Sequence, residues 1–204
     1  MSRNHGGKNG ALREKIAHLA ARIIAEDGVD DFSYAKRKAA RQAGAADARA
    51  MPDNEEIENA LAQYREIYQK DEHPEILAAL REQALTIMLA LERFHPYLSG
   101  SVLSGVAGKF ADIEIQLFAD SGKEVEMFLL NRGWRFRPTQ VRCFVNQSER
   151  HIPAYLVLHE GIEAVLKVFD LEDTRATIRS TALGRPHQRA GIAEVRALVD
   201  ADGG

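Results

Sequence analysis

Cysteine occurs once in the 204 residues, as Cys143, so no internal disulfide framework holds the chain, and this usage fits a reducing cytosol. No apolar run approaches the roughly 18–20 residues that span a bilayer. The opening residues, MSRNHGGKNGALREK, lack the apolar core of a secretory signal. These absences give the expectation of a cytoplasmic protein without membrane association. The seven histidines fall in neither H-x-x-x-H nor H-E-x-x-H spacing, which leaves no zinc motif. Internal repeats and low-complexity tracts are also absent.

What is present is ordinary for a globular chain: 45% hydrophobic and 28% charged residues. The length suits one sizeable domain, or a small domain with a helical extension. The net charge of -3 is unevenly spread, with 10 Lys/Arg against 6 Asp/Glu over residues 1–50 and 4 against 10 over residues 51–95. A basic segment followed by an acidic one either docks within the chain, offers a basic face to nucleic acid, or forms solvated helix faces.

Hydrophobic periodicity predicts a helical front. Leu12, Ile16, Leu19, Ile23 and Ile24 recur at helical spacing before Gly28. DFSYAKRKAARQAG continues as a second helix ending near Gly44, and Asp53 or Asn54 is a natural cap for a third with an acidic first turn. Residues 74–94, with Ile76, Leu77, Leu80, Leu85, Met88, Leu89 and Leu91, make a fourth. After His95-Pro96 the texture changes. IEIQLF alternates with period two as a strand, KEVEMFLLNRGW reads as a helix stopped by Gly133, and RFRPTQVRCFV, PAYLVLH and IEAVLKVF read as further strands. Glu160-Gly161 predicts a hairpin between the last two, and residues 188–200 a closing helix. The expected class is α+β: a helical region over 1–94, a mixed-sheet core over 95–172, and a tail over 173–204.

The stretch LSGSVLSGVAGKFADIEIQLF, residues 98–118, carries the chemistry. It is not a P-loop, since Lys109 is followed by Phe110 and position 103 is Leu; nor does it hold a G-x-G-x-x-G fingerprint. Instead Gly100-Ser101 is followed by ten residues and then Asp112-Ile113-Glu114-Ile115. Strand alternation puts Asp112, Glu114 and Gln116 on one face, with Ile113, Ile115 and Leu117 on the other. Paired carboxylates are hard-oxygen ligands suited to Mg²⁺, which also draws ligands from substrate phosphates. Gly100 and Gly105 let backbone approach a phosphate. The plainer alternative is a flexible loop before an amphipathic strand.

This pattern resembles the signature of the DNA polymerase β-like nucleotidyltransferase superfamily, over residues 96–170, with the chain similar to a small bacterial member. The resemblance implies a nucleotidyltransferase core that moves a nucleoside monophosphate from an NTP to an acceptor, RNA among the candidates, with Mg²⁺ or Mn²⁺ as cofactor. Asp112 and Glu114 would ligate the metal, and Gly100 and Ser101 would hold the β- and γ-phosphates, with Lys109 or Lys167 offsetting their charge. A third carboxylate is expected on a later neighbouring strand; Glu163 is the choice, ahead of Glu160 and Asp170 at turn positions. Two departures from the family pattern stand out: Ala111 in place of Ser, and Glu114 where the second acid is often Asp. They keep open a catalytically degenerate member that binds nucleotide, RNA or a protein partner.

Other constellations are weaker. Cys143 lies in an apolar strand as a packed residue rather than a nucleophile. Lys36, Arg37, Lys38 and Arg41, near Phe32 and Tyr34, form either a phosphodiester grip or a solvated face. Arg175, Arg179, Arg185 and Arg189 flank or fall within STALGRP as a phosphate clamp or an exposed tail.

Overall fold

A computed structural model describes residues 5–27, 32–45, 51–69, 72–109, 111–180 and 186–203. Gly28, the expected stop of the first helix, and Arg185 lie outside these residues. The chain is α+β and divides into two compact units, residues 1–76 with 108–111 and residues 77–107 with 112–204. The division falls inside the fourth helix, whereas the change of sequence texture comes at residue 95.

The first unit is helical. It contains α1 (His5–Asp27), α2 (Phe32–Gln42), α3 (Asn54–Tyr68) and the start of α4 (Glu72–Ala90). Ile16, Ala20, Ile23 and Ile24 of α1 are buried, as are Ala35, Ala39 and Ala40 of α2 and Ile57, Ala60 and Leu61 of α3. Helix α1 packs on both of the others. The alanines on these faces permit close approach, so the three helices bury a common core. Asp53 caps α3 by accepting from the Glu56 amide at 2.9 Å, and Glu56 Oε2 accepts from the Asp53 amide at 2.7 Å. Arg13 Nε donates to Glu56 at 2.6 Å, and Lys36 feels both Asp53 and Glu56. The basic and acidic segments therefore meet within this unit. Burial lowers the Lys36 pKa, so Lys36 is not part of a purely solvated basic face; Arg37 and Arg41 are exposed.

The second unit is built on a six-stranded sheet. Its elements are β1 (Tyr97–Ser99), α5 (Gly100–Ser104), β2 (Ile113–Ala119), α6 (Gly122–Asn131), β3 (Arg135–Val145), β4 (Ser148–His159), β5 (Ile162–Asp170), β6 (Ile178–Arg179) and α7 (Ile192–Asp202). The strand order is β1-β2-β5-β4-β3-β6. Only the β2–β5 pair is parallel. Turns with positive φ at both central residues, Asn146-Gln147 and Glu160-Gly161, close the β3–β4 and β4–β5 hairpins. Strands β1 and β6 escape the periodicity reading because three and two residues carry no period.

One sheet face carries the main core across β2 and β5. Ile113, Ile115 and Leu117 align with Ala164, Leu166 and Val168, and α6, with Val125 and Leu129 buried, packs on β2, β3 and β5. The opposite face has two halves. At one end Phe118, Cys143, Val145, Ile152, Phe169 and Ile178 form a second apolar cluster. At the other end the face is open, and there the charged residues gather. No described helix is long and apolar enough to cross a membrane.

Candidate active site

Register assembles this open face. In the β2–β5 pair, Ile113 stands opposite Ala164, Glu114 opposite Val165 and Gln116 opposite Lys167. Directly paired residues point to the same side of a sheet, so Glu114, Gln116, Glu163, Val165 and Lys167 share one face. Asp112 continues this alternation one residue before β2. The first cause of its raised pKa is burial, followed by the charges of Glu114 and then Glu163, with Lys167 opposing. The three carboxylates selected from the sequence are thus electrostatic neighbours with a single lysine among them. By contrast, Asp170 has the opposite parity, aligned with Ala119, and is ion-paired to Arg150, while Glu160 sits in the hairpin turn.

Gly100 abuts the same carboxylates. It opens α5 at φ +75°, and a Cβ there would lie 3.1 Å from Glu114 Cδ and 3.3 Å from Oε2. A side chain would collide with the acid as well as strain the left-handed backbone. Ser101 is half-buried in the first turn of α5, and its carbonyl accepts from the Val106 amide at 3.0 Å. Lys167 Nζ donates to Glu114 Oε2 in a close ion pair, with only 14% of the lysine side chain exposed. Lys109 is exposed in the segment 108–111, which belongs to the helical unit.

Strand alternation sets Gln116 on the face of the acids, where it is completely buried. Its Nε2 is 3.5 Å from His187 Nδ1, and Ser180 Oγ is 2.7 Å from His187 Nε2. With Gln116 donating to Nδ1, the ring proton lies on Nε2 and is donated to Ser180. Burial, and then the charge of Lys167, lowers the His187 pKa. Gln116 Oε1 has no partner among the described residues. No local signal in the sequence reveals this arrangement, because His187 reaches β2 from 71 residues away. Arg189, a candidate phosphate clamp, is otherwise engaged: it lies over the Tyr97 and Phe118 rings and donates to the Thr174 carbonyl. Cys143 is buried, and burial pushes its thiol pKa up, so it is a packed residue rather than a nucleophile.

Beside the carboxylates runs a groove of about 480 Å³ lined by Asp112 and Glu163 on one side and Arg135 and Arg137 on the other. Among the described residues no group of three or more His, Cys, Asp or Glu side chains is arranged to hold a metal ion. Magnesium is held through one or two carboxylates together with substrate phosphates rather than in an all-protein cage, and the like-charge contribution to the raised Asp112 pKa marks a place where added positive charge is favourable. Compared with protein-family models, with curated proteins and with solved structures, the chain matches none.

Proposed function

We propose that the protein transfers a nucleoside monophosphate from an NTP, bound as its Mg²⁺ (or Mn²⁺) complex, to an acceptor hydroxyl. The observation that carries this reading is that Asp112, Glu114 and Glu163 occupy one open sheet face against the side-chain-free Gly100. Asp112 and Glu114 would ligate the cation that accompanies the triphosphate; when bound, that ion neutralises charge on the reacting phosphates. Lys167 would leave Glu114 for a phosphate oxygen, exchanging one charge-assisted bond for another. The Gly100-Ser101 turn gives the triphosphate a close backbone approach. Glu163 would take the proton of the acceptor hydroxyl. That oxygen then bonds to the α-phosphorus, the bond from the α-phosphorus to the bridging oxygen breaks, and pyrophosphate leaves with the electron pair.

The ion pair between Lys167 and Glu114 favours a second reading, a degenerate site that binds nucleotide, RNA or a protein partner without transfer. One experiment separates the two. Titration of an NTP mixture with and without Mg²⁺, followed by mass spectrometry of the products, should give metal-dependent binding and release of pyrophosphate. Asp112→Asn combined with Glu114→Gln should abolish the metal-dependent part. Glu163→Gln should lower turnover about 10²–10⁴-fold, the usual worth of a general base, with NTP affinity little changed. Metal-independent binding without product would establish the degenerate reading.

A further inference from the structure

The groove extends away from the carboxylates on the side opposite Gly100. Reading across the sheet, Glu163 of β5 stands beside Leu158 of β4, which stands beside Arg135 of β3. One row further, Val165, Leu156 and Arg137 are aligned in the same way. The face therefore has an order: Ser99 and Gly100 at the β1 edge, the acids and Lys167 on β2 and β5, an aliphatic floor, then two arginines on β3. Leu156, Leu158 and Val165 are only half-buried, and Arg135 and Arg137 are exposed. Neither guanidinium has an ion pair or hydrogen bond among the described residues. Beyond β3 the ladder to β6 begins only at Phe144, so neither arginine is covered by that strand.

These features specify an occupant. An aliphatic floor suits a flat, weakly polar body, and paired arginines bind phosphate through several N–H donors. Two strand spacings of about 4.8 Å separate β5 from β3, so a phosphate at the arginines lies roughly 10 Å from the Glu163 row. We propose that this groove is the acceptor subsite and that the acceptor is itself a phosphate-bearing nucleotide, its ring on Leu156, Leu158 and Val165, its phosphate at Arg135 and Arg137, and its reactive hydroxyl toward Glu163. This rests on the transferase reading for the hydroxyl's fate, but binding in the groove does not depend on it. The phosphate belongs either to a free mononucleotide or to the end of a single strand, and both present the same chemistry.

The test uses the full chain and two probes, adenosine 5′-monophosphate and a 5′-phosphorylated trinucleotide, with adenosine as the phosphate-free control. Binding is read by calorimetry for the wild type and for Arg135→Gln combined with Arg137→Gln. Both positions are exposed, and near-UV circular dichroism verifies that the variant is folded. At least one phosphorylated probe should bind the wild type roughly tenfold or more tightly than it binds the variant, the worth of a lost charge-assisted contact, and adenosine should bind weakly to both. Mg²⁺–NTP affinity should be unchanged in the variant. A trinucleotide that outcompetes the monophosphate, with a salt dependence that flattens in the variant, identifies a strand end as the acceptor. Equal binding of both phosphorylated probes by wild type and variant overturns the proposal. A parallel loss of NTP affinity also overturns it, because the arginines would then belong to the donor triphosphate. If the wild type binds a phosphorylated probe through the arginines but no NTP under any metal condition, the transferase reading fails while the groove assignment stands.

Discussion

His187 illustrates how a single side chain sets a pH limit on this fold. Its folded pKa is lowered by burial and by Lys167, with Glu114 opposing, and it bonds to Gln116 and Ser180. A histidine held neutral in the folded state is fully compatible with folding above its unfolded pKa, near 6.5. As pH falls from there through the lowered folded value, the unfolded chain takes up the proton first, and stability is lost. Folding stability measured against pH should therefore decline below about 6.5, and His187→Gln should flatten that decline while lowering stability at neutral pH by about 1 kcal/mol through the lost hydrogen bonds. An unchanged pH profile in the variant would show that another group sets the limit.

At the scale of elements, α3 depends on its first turn. Its N-cap Asp53 and its Glu56 satisfy each other's backbone amides, and Arg13 of α1 holds the same Glu56. The hydrogen bond from Arg13 is the first cause of the lowered Glu56 pKa, so this contribution is present at neutral pH and lost as acid protonates the carboxylate. Asp53→Ala should destabilise the helical unit by about 1 kcal/mol, the usual cost of an N-cap. The loss should appear as reduced hydrogen-exchange protection of the α3 amides. Protection of β2 and β5 serves as the internal control. Full protection of α3 in the variant would show that packing of Ile57, Ala60 and Leu61 alone holds the helix. The strands rest on different terms: Ile113, Ile115, Leu117, Ala164, Leu166 and Val168 hold β2 and β5 through one buried apolar face, which leaves one end of the other face open for charge.

For the whole molecule, the two units can be followed separately because Trp134 is the sole tryptophan and lies in the sheet unit, 7% exposed and stacked on His159. Its fluorescence reports unfolding of that unit. A ligand that binds only the folded state adds about 2.7 kcal/mol at a concentration of one hundred times its Kd. Mg²⁺–NTP at that level should shift the Trp134 transition upward by this amount, and Asp112→Asn with Glu114→Gln should remove the shift. The substitutions themselves relieve the like-charge contact at Asp112 but take the Glu114 partner from the largely buried Lys167, so the unliganded transition should fall, and the ligand shift is read relative to it. A shift of equal size in the double variant would mean that the nucleotide binds elsewhere.

Much of this architecture is written in local pattern. Apolar spacing marks α1 and α4, period two marks β2, Asp53 announces α3, and Glu160-Gly161 announces a hairpin, because each is decided by neighbours within a turn or a pair of residues. The alternation of Asp112 and Glu114 with the apolar residues of β2 likewise follows from the sequence alone. Tertiary structure decides the rest. Glu163 joins the acids only because β5 pairs parallel to β2 in one register, and a slip of one residue would turn it to the opposite face. Lys167 reaches Glu114, and Arg135 and Arg137 line up with Glu163 and Val165, through the same long-range pairing, while His187 reaches Gln116 from the segment that bridges to β1 at Ala190. Strands β1 and β6 owe their existence to the partners beside them, being too short to hold a period of their own. Local sequence fixes which way a side chain points along its own element, but which charges come to share a face depends on strand register, and register is set by burial of the whole apolar face.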